Sequence, residues 1–166
     1  MKFTLESTFP SASDQEKVVR TEICSVSSVR RVAAMLDLEP DAFELGAALP
    51  RGWQFLLMAA DTKRSQLRAD GFPGLGVPMP DLGLPRLMLG GRTVAYKSDI
   101  PIGAAVTRTS WIRSITPKTN QSGPLAIATI EHELKLNQCQ TLALVETQTY
   151  LLLPASTWGE KDGTVT

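Results

Sequence analysis

The stretch from Pro50 to Asp61, PRGWQFLLMAAD, limits what this chain can fold into more than any other. Proline suits the first turn of a helix, where its missing N–H costs nothing. At helical spacing Trp53, Leu56, Leu57 and Ala60 make one face, and Phe55, Met58 and Ala59 fill most of the other. A helix apolar nearly all round must be buried nearly all round. A chain of 166 residues can do that by curling a sheet about it.

The remainder can supply such a sheet. Glu16 to Cys24 (EKVVRTEIC) is short and rich in β-branched residues, and is expected to be a strand. Arg92 to Asp99 alternates through Val94 and Tyr96. Ala105 to Ile115 is rich in Thr, Val, Ile and Trp. Leu125 to Leu136 places Ala126, Ala128, Ile130, His132, Leu134 and Leu136 on one face, with Thr129, Glu131, Glu133 and Lys135 on the other. Asn137 to Gln140 reads as a hairpin turn, and Thr141 to Leu153 returns as the last strand. Before these, Ser25, Ser27 and Ser28 offer helix N-caps. Val29, Val32, Ala33 and Leu36 then form a helical stripe that Pro40 ends. The expected class is α+β, with four meandering antiparallel strands after two helices. An open sandwich with both helices on one face is the rival.

Gly71 to Gly91 (GFPGLGVPMPDLGLPRLMLGG) carries six of the chain's 12 glycines and four of its 11 prolines. That content forbids long regular structure. Its other residues are mostly Leu, Met and Val, whereas a solvated linker is polar. The segment is expected to pack on the body, either lining a functional cavity or shielding sheet edges.

Composition removes several functions. Lys+Arg and Asp+Glu are both 17, so there is no basic excess for nucleic acid. Two cysteines, Cys24 and Cys139, and one histidine, His132, are too few for a zinc site. Both cysteines read as buried free thiols in a reducing compartment. No apolar run has the length of a signal peptide or membrane span, so a soluble, cytoplasmic protein is expected. Residues 1–17 read as a flexible start, 18–153 as one domain and 154–166 as a loose tail.

In order and spacing, several segments carry a family resemblance: VVRTEICSVSSVRRVAAMLDL (18–38), ALPRGWQFLLM (48–58), LPRLMLGGR (84–92), PIGAAVTRTSWI (101–112), KTNQSGPLAIATIEHEL (118–134) and LALVETQTYLLL (142–153). Together they resemble the non-catalytic N-terminal hotdog of the MaoC-like, type 2 hydroxyacyl-thioester dehydratases. The resemblance spans roughly residues 18–153. It implies a single hotdog, an antiparallel sheet wrapped round a central buried helix, assembled as a two-hotdog dimer. It also implies reversible hydration of 2-enoyl to 3-hydroxyacyl thioesters, mainly of CoA, with no cofactor or metal. Catalytic members carry a carboxylate and a histidine on the segment leading into the hotdog helix. The corresponding LGAALPRGWQF (45–55) has neither, and the nearest upstream acid is Glu44. In two-hotdog relatives the catalytic half follows on the same polypeptide, and this chain ends before a second half begins.

The residues of interest follow from this. His132 lies between Glu131 and Glu133 on an apolar strand face, and Glu146 on the neighbouring strand can approach it if the hairpin register allows. They are the two catalytic candidates, although a hydrogen-bonded core histidine is the commoner outcome. Gly90 and Gly91 permit positive φ and close approach of backbone to a ligand. Arg92 after them can hold a CoA phosphate. Arg86, Gly52 and Trp53 complete the candidate substrate-binding set. Ser122-Gly123-Pro124 reads mainly as a turn. Gln54 and Asp61 sit where thioesterase hotdogs keep an acid, but Asp61 falls at the helix end.

Three functions remain open. The first is a non-catalytic hotdog subunit of an acyl-CoA hydratase or dehydratase, paired with a separately encoded catalytic hotdog. The second is a self-sufficient homodimeric hydratase or thioesterase with a rearranged site. The third is an acyl-CoA-binding module without turnover.

Overall fold

The structure, a computed structural model, describes residues 16–121 and 123–155. The expectations for residues 1–15, Ser122 and residues 156–166 lie outside the described residues. Five strands form one antiparallel sheet: β1 (Val18–Ile23), β2 (Arg86–Tyr96), β3 (Ala105–Asn120), β4 (Gly123–Leu136) and β5 (Leu142–Leu153). Among the described residues a single α-helix, α1 (Val26–Met35), follows β1, and short 3-10 turns lie at Pro40–Ala42, Trp53–Leu57 and Arg64–Gln66.

The strand order is β1-β3-β4-β5-β2. The expected meander is therefore corrected. Only β3, β4 and β5 run as sequential hairpins, while β2 crosses to pair with β5 at the far edge. β2 also begins earlier than expected, at Arg86, so Arg86–Gly91 belongs to a strand. Gly90 and Gly91 do not use positive φ. The register slips between Leu89 and Gly91 instead, a bulge. A Cβ on Gly90 would lie 2.5 Å from Leu151 Cδ1, so a larger residue there would push that side chain aside.

The long buried helix over Pro50–Asp61 is also corrected. Only Trp53–Leu57 is helical, as a 3-10 turn led in by Gly52 at φ 94, a conformation that favours glycine. Burial is one-sided: Gln54 and Leu57 face inward, whereas Phe55 is exposed. The helix does not continue because the carbonyls of Leu57 and Ala59 accept from the Arg108 guanidinium on β3, at 3.3 and 3.4 Å. Those bonds replace the ones a next turn would make. In α1, Val29, Val32 and Ala33 are buried as the stripe required, but Leu36 is exposed. Asp37, at φ 59, ends the helix before Pro40 is reached.

The alternation read in β4 holds: Ala126, Ala128, Ile130, His132 and Leu134 all face inward. Two apolar clusters sit on this face. One joins Val29, Leu57, Ile100 and Ile102 to Val106, Leu134 and Leu144. The other joins Ala126, Ala128 and Leu152 to Met79, Leu82, Leu84 and Leu87. So the greasy segment does pack on the sheet. Cys24 is buried as expected, but Cys139 is exposed in the β4–β5 turn, where no core is within reach.

Candidate functional site

Between the two apolar clusters the inward face of the sheet turns polar. The register sets Ser110 on β3 opposite His132 on β4, and His132 opposite Glu146 on β5. Arg108 lies two residues from Ser110, and Gln148 two from Glu146, so they share the same face. Arg92 on β2 sits opposite Gln148. Arg108, Ser110, His132, Glu146 and Gln148 are all buried. With Arg20, Asp61, Arg92 and Tyr150 they line a cavity of about 280 Å³, roofed by Phe55, Met58 and residues 72–76.

Glu146 is the hub. Its Oε1 accepts from Gln148 Nε2 at 2.6 Å and pairs with Arg92 Nε at 2.9 Å. Its Oε2 accepts from Gln54 Nε2 at 3.0 Å. Gln54 Oε1 in turn accepts from Tyr96, whose hydroxyl accepts from the Gly52 N–H at 2.8 Å. Tyr150 donates to Gln148 Oε1 at 2.8 Å. This network clamps the 53–57 turn onto the sheet.

His132 borders the network through Gln148 and Glu146. Its Nδ1 lies 2.7 Å from Ser110 Oγ. Its Nε2 is buried without a hydrogen-bond partner, although Gln148 stands beside the ring. Burial, and then the nearby Arg108 charge, push its pKa down to about 4, against the opposing pull of Glu146. The ring is therefore neutral near pH 7.

Of the residues singled out from sequence, His132, Glu146 and Arg92 come together here. Arg92 is half exposed, and its Nε is engaged by Glu146. The others lie elsewhere. Arg86 reaches the Pro154 carbonyl, at 3.5 Å. Trp53 stacks on Phe43 with ring centroids 5.3 Å apart. Gly52 meets Tyr96, and Gly90 and Gly91 form the bulge. Asp61 is exposed at the cavity rim and pairs with Arg20. Sequence reasoning passed over Arg108, Ser110, Gln148, Tyr96 and Tyr150. The available signal was parity: Arg108 and Ser110 share a face with Val106 and Ile112, and Gln148 shares one with Leu144 and Leu152.

A second, more apolar cavity of about 550 Å³ lies under the glycine- and proline-rich segment. Leu75, Met79, Leu82, Leu84, Leu87 and Leu152 line it, and Gly74 and Leu75 border both cavities. Among the described residues no cluster of three or more His, Cys, Asp or Glu is placed to hold a metal, and no helix is long and apolar enough to cross a membrane.

No protein-family model matches the chain. Over 116 residues it is 31% identical to a mesaconyl-C(4)-CoA hydratase of Chloroflexus aurantiacus, covering 70% of this chain and 41% of that protein. The fold matches one chain of the HadBC (3R-hydroxyacyl-ACP dehydratase) complex of Mycobacterium tuberculosis, with TM-score 0.54 and 11% identity over 82% of this chain and 95% of that one. It also matches the MaoC-like dehydratase of Rhodospirillum rubrum, with TM-score 0.52 and 14% identity over 86% and 93%. In fold the chain resembles the MaoC-like hotdog dehydratases, and in sequence it resembles the hydratase. The hotdog architecture expected from sequence is present, with its central helix reduced to the 53–57 turn. The chain spans about two fifths of the hydratase it matches.

Proposed function

We propose that the chain is a non-catalytic hotdog subunit of an acyl-thioester hydratase or dehydratase, acting on 2-enoyl or 3-hydroxyacyl thioesters beside a catalytic hotdog. One observation carries this. The segment that leads into the 53–57 turn, Leu45 to Phe55, brings Arg51 and no acid or histidine. Hydration needs water activated on one side and a proton handled at the α-carbon, by groups within hydrogen-bond reach. Arginine stays protonated and cannot be the base. Glu146 has both oxygens engaged by Gln54, Gln148 and Arg92.

What the subunit contributes is volume. The apolar cavity beneath residues 74–87 suits an acyl chain, and a shortened central helix leaves room above the sheet. A hotdog partner fits the sheet edges. Val19 and Ile23 on β1, and Met88 and Leu89 on β2, are exposed apolar side chains on unpaired edge strands. The similarity to a chain of the HadBC complex supports a partner of the same fold.

A second reading rests on His132, which lines the polar cavity and whose Nε2 is buried beside Gln148. It makes the chain a homodimeric enzyme with His132 as its acid–base group. Crotonyl-CoA hydration separates the two. The purified chain should be inactive alone and active once mixed with a hotdog that carries the acid/His segment. Robust turnover by the chain alone, abolished in a folded His132→Asn variant, would establish the second reading instead.

A further inference from the structure

The two cavities on the inner face of the sheet meet at one bulky side chain. Gly74 and Leu75 line both the polar cavity of about 280 Å³ and the apolar one of about 550 Å³. Leu75 is 8% exposed, so its side chain lies at the junction and not in solvent. Its neighbours Gly74 and Gly76 have φ 91 and 75, conformations that favour glycine, and a Cβ on either would meet nothing within 4 Å. Leu75 therefore sits on a turn with open space on both flanks.

The larger cavity is apolar for reasons written in β4 and in the segment above it. The inward face of β4 carries Ala126 and Ala128 here, against Ile130 and Leu134 further along, and the small side chains leave volume under residues 77–87. Val77, Met79, Leu82, Leu84, Leu87 and Leu152 line that volume. Its two charged neighbours are already engaged. Arg68 pairs with Asp70 and donates to the Pro85 carbonyl, and Asp81 accepts from the Gly83 N–H at 2.9 Å. Protein interiors leave few voids larger than a water molecule, so an apolar space of this size has the character of a binding site. A cavity of about 150 Å³ holds benzene, or about 25 Å³ per carbon. On that scale the polar cavity takes about 11 heavy atoms and the apolar one about 20. A thioester group with a short acyl chain is accommodated before Leu75, and a longer chain has to pass it.

We propose that Leu75 is a chain-length determinant: the apolar cavity receives the far half of an unbranched acyl chain of about ten or more carbons, whose thioester end lies in the polar cavity. This rests on the acyl-thioester reading above, and the test separates the two.

The purified chain is titrated calorimetrically with butyryl-CoA, dodecanoyl-CoA below its micelle-forming concentration, and dodecanoate. Each buried methylene is worth about fourfold in affinity, so dodecanoyl-CoA should bind about 50-fold tighter than butyryl-CoA or better. Leu75→Trp, which closes the junction, should remove most of that preference. Met79→Trp fills the apolar cavity alone; it should weaken dodecanoyl-CoA about 10-fold with butyryl-CoA unchanged, and it is the independent variant if Leu75→Trp does not fold. Equal binding of the two thioesters overturns the chain-length site and leaves the thioester reading standing. A preference that survives in both folded variants places the long chain elsewhere and overturns the proposal. Saturable dodecanoate binding that Met79→Trp weakens, without binding of either thioester, upholds the apolar site with a free acid as its source and overturns the thioester reading. No binding of dodecanoate or dodecanoyl-CoA overturns the proposal.

Discussion

Replacing His132 with Asn should change how the stability of this protein depends on pH. In the folded chain the ring is held neutral by burial and by Arg108, and its pKa falls from an ordinary 6.5 to about 4. In the unfolded chain it returns to the ordinary value. Between those two values the unfolded state binds more protons, so stability falls as pH falls. The contribution is fully present above pH 6.5 and is lost as pH drops through 4. At about 1.36 kcal/mol per pKa unit, the full loss is about 3 kcal/mol, with about 2 kcal/mol gone by pH 5. Asn keeps a polar atom near the Nδ1 position, within reach of Ser110, and does not titrate. Urea denaturation of both proteins at pH 7.5 and pH 5 measures the effect, since carboxylate contributions cancel between them. Wild type should lose about 2 kcal/mol more than the variant over that interval. Equal losses would show that His132 is not held neutral by its surroundings, and the argument from burial would fail.

Glu146→Ala strands the Gln54 and Gln148 amides and Arg92 around an empty centre, and should cost about 3–5 kcal/mol of stability by urea denaturation. Arg92→Ala should cost less, about 1–2 kcal/mol, because Arg92 is half exposed and two amides still hold Glu146. Ile130→Ala, at a fully buried position in the centre of β4, should cost about 2–5 kcal/mol in the same assay. A thiol reagent should modify Cys139 at once and Cys24 only after unfolding, because burial both shields the Cys24 thiol and raises its pKa, while Thr141 lowers that of the exposed Cys139. Mass spectrometry of the labelled chain identifies the site.

Much of the fold was legible without coordinates because it is written in local periodicity. The inward face of β4, from Ala126 to Leu134, follows from alternation alone, and so does the buried stripe of α1 from Val29 to Ala33. The packed greasy segment was legible too, since apolar residues between glycines and prolines have nowhere favourable to go but onto the body. What could not be read were the features set by residues distant in sequence. Leu56 to Ala60 is strong helix-forming sequence, yet the guanidinium of Arg108, some fifty residues on, takes the carbonyls that a helix would need. β2 pairs with β5 across about fifty to seventy residues of chain, which no local pattern specifies.

The site divides in the same way. His132, Glu146 and Arg92 were visible as chemically capable residues, but only the strand register decides whether their side chains share a face, because a slip of one residue sends each to the other side. That same register assembles Arg108, Ser110 and Gln148 beside them. Sequence alone therefore determined the α+β class and most of the strands, through hydrophobic patterning that acts within a few residues, while the hotdog came from the family resemblance. The polar belt came from tertiary structure, because burial depends on which distant strands lie side by side.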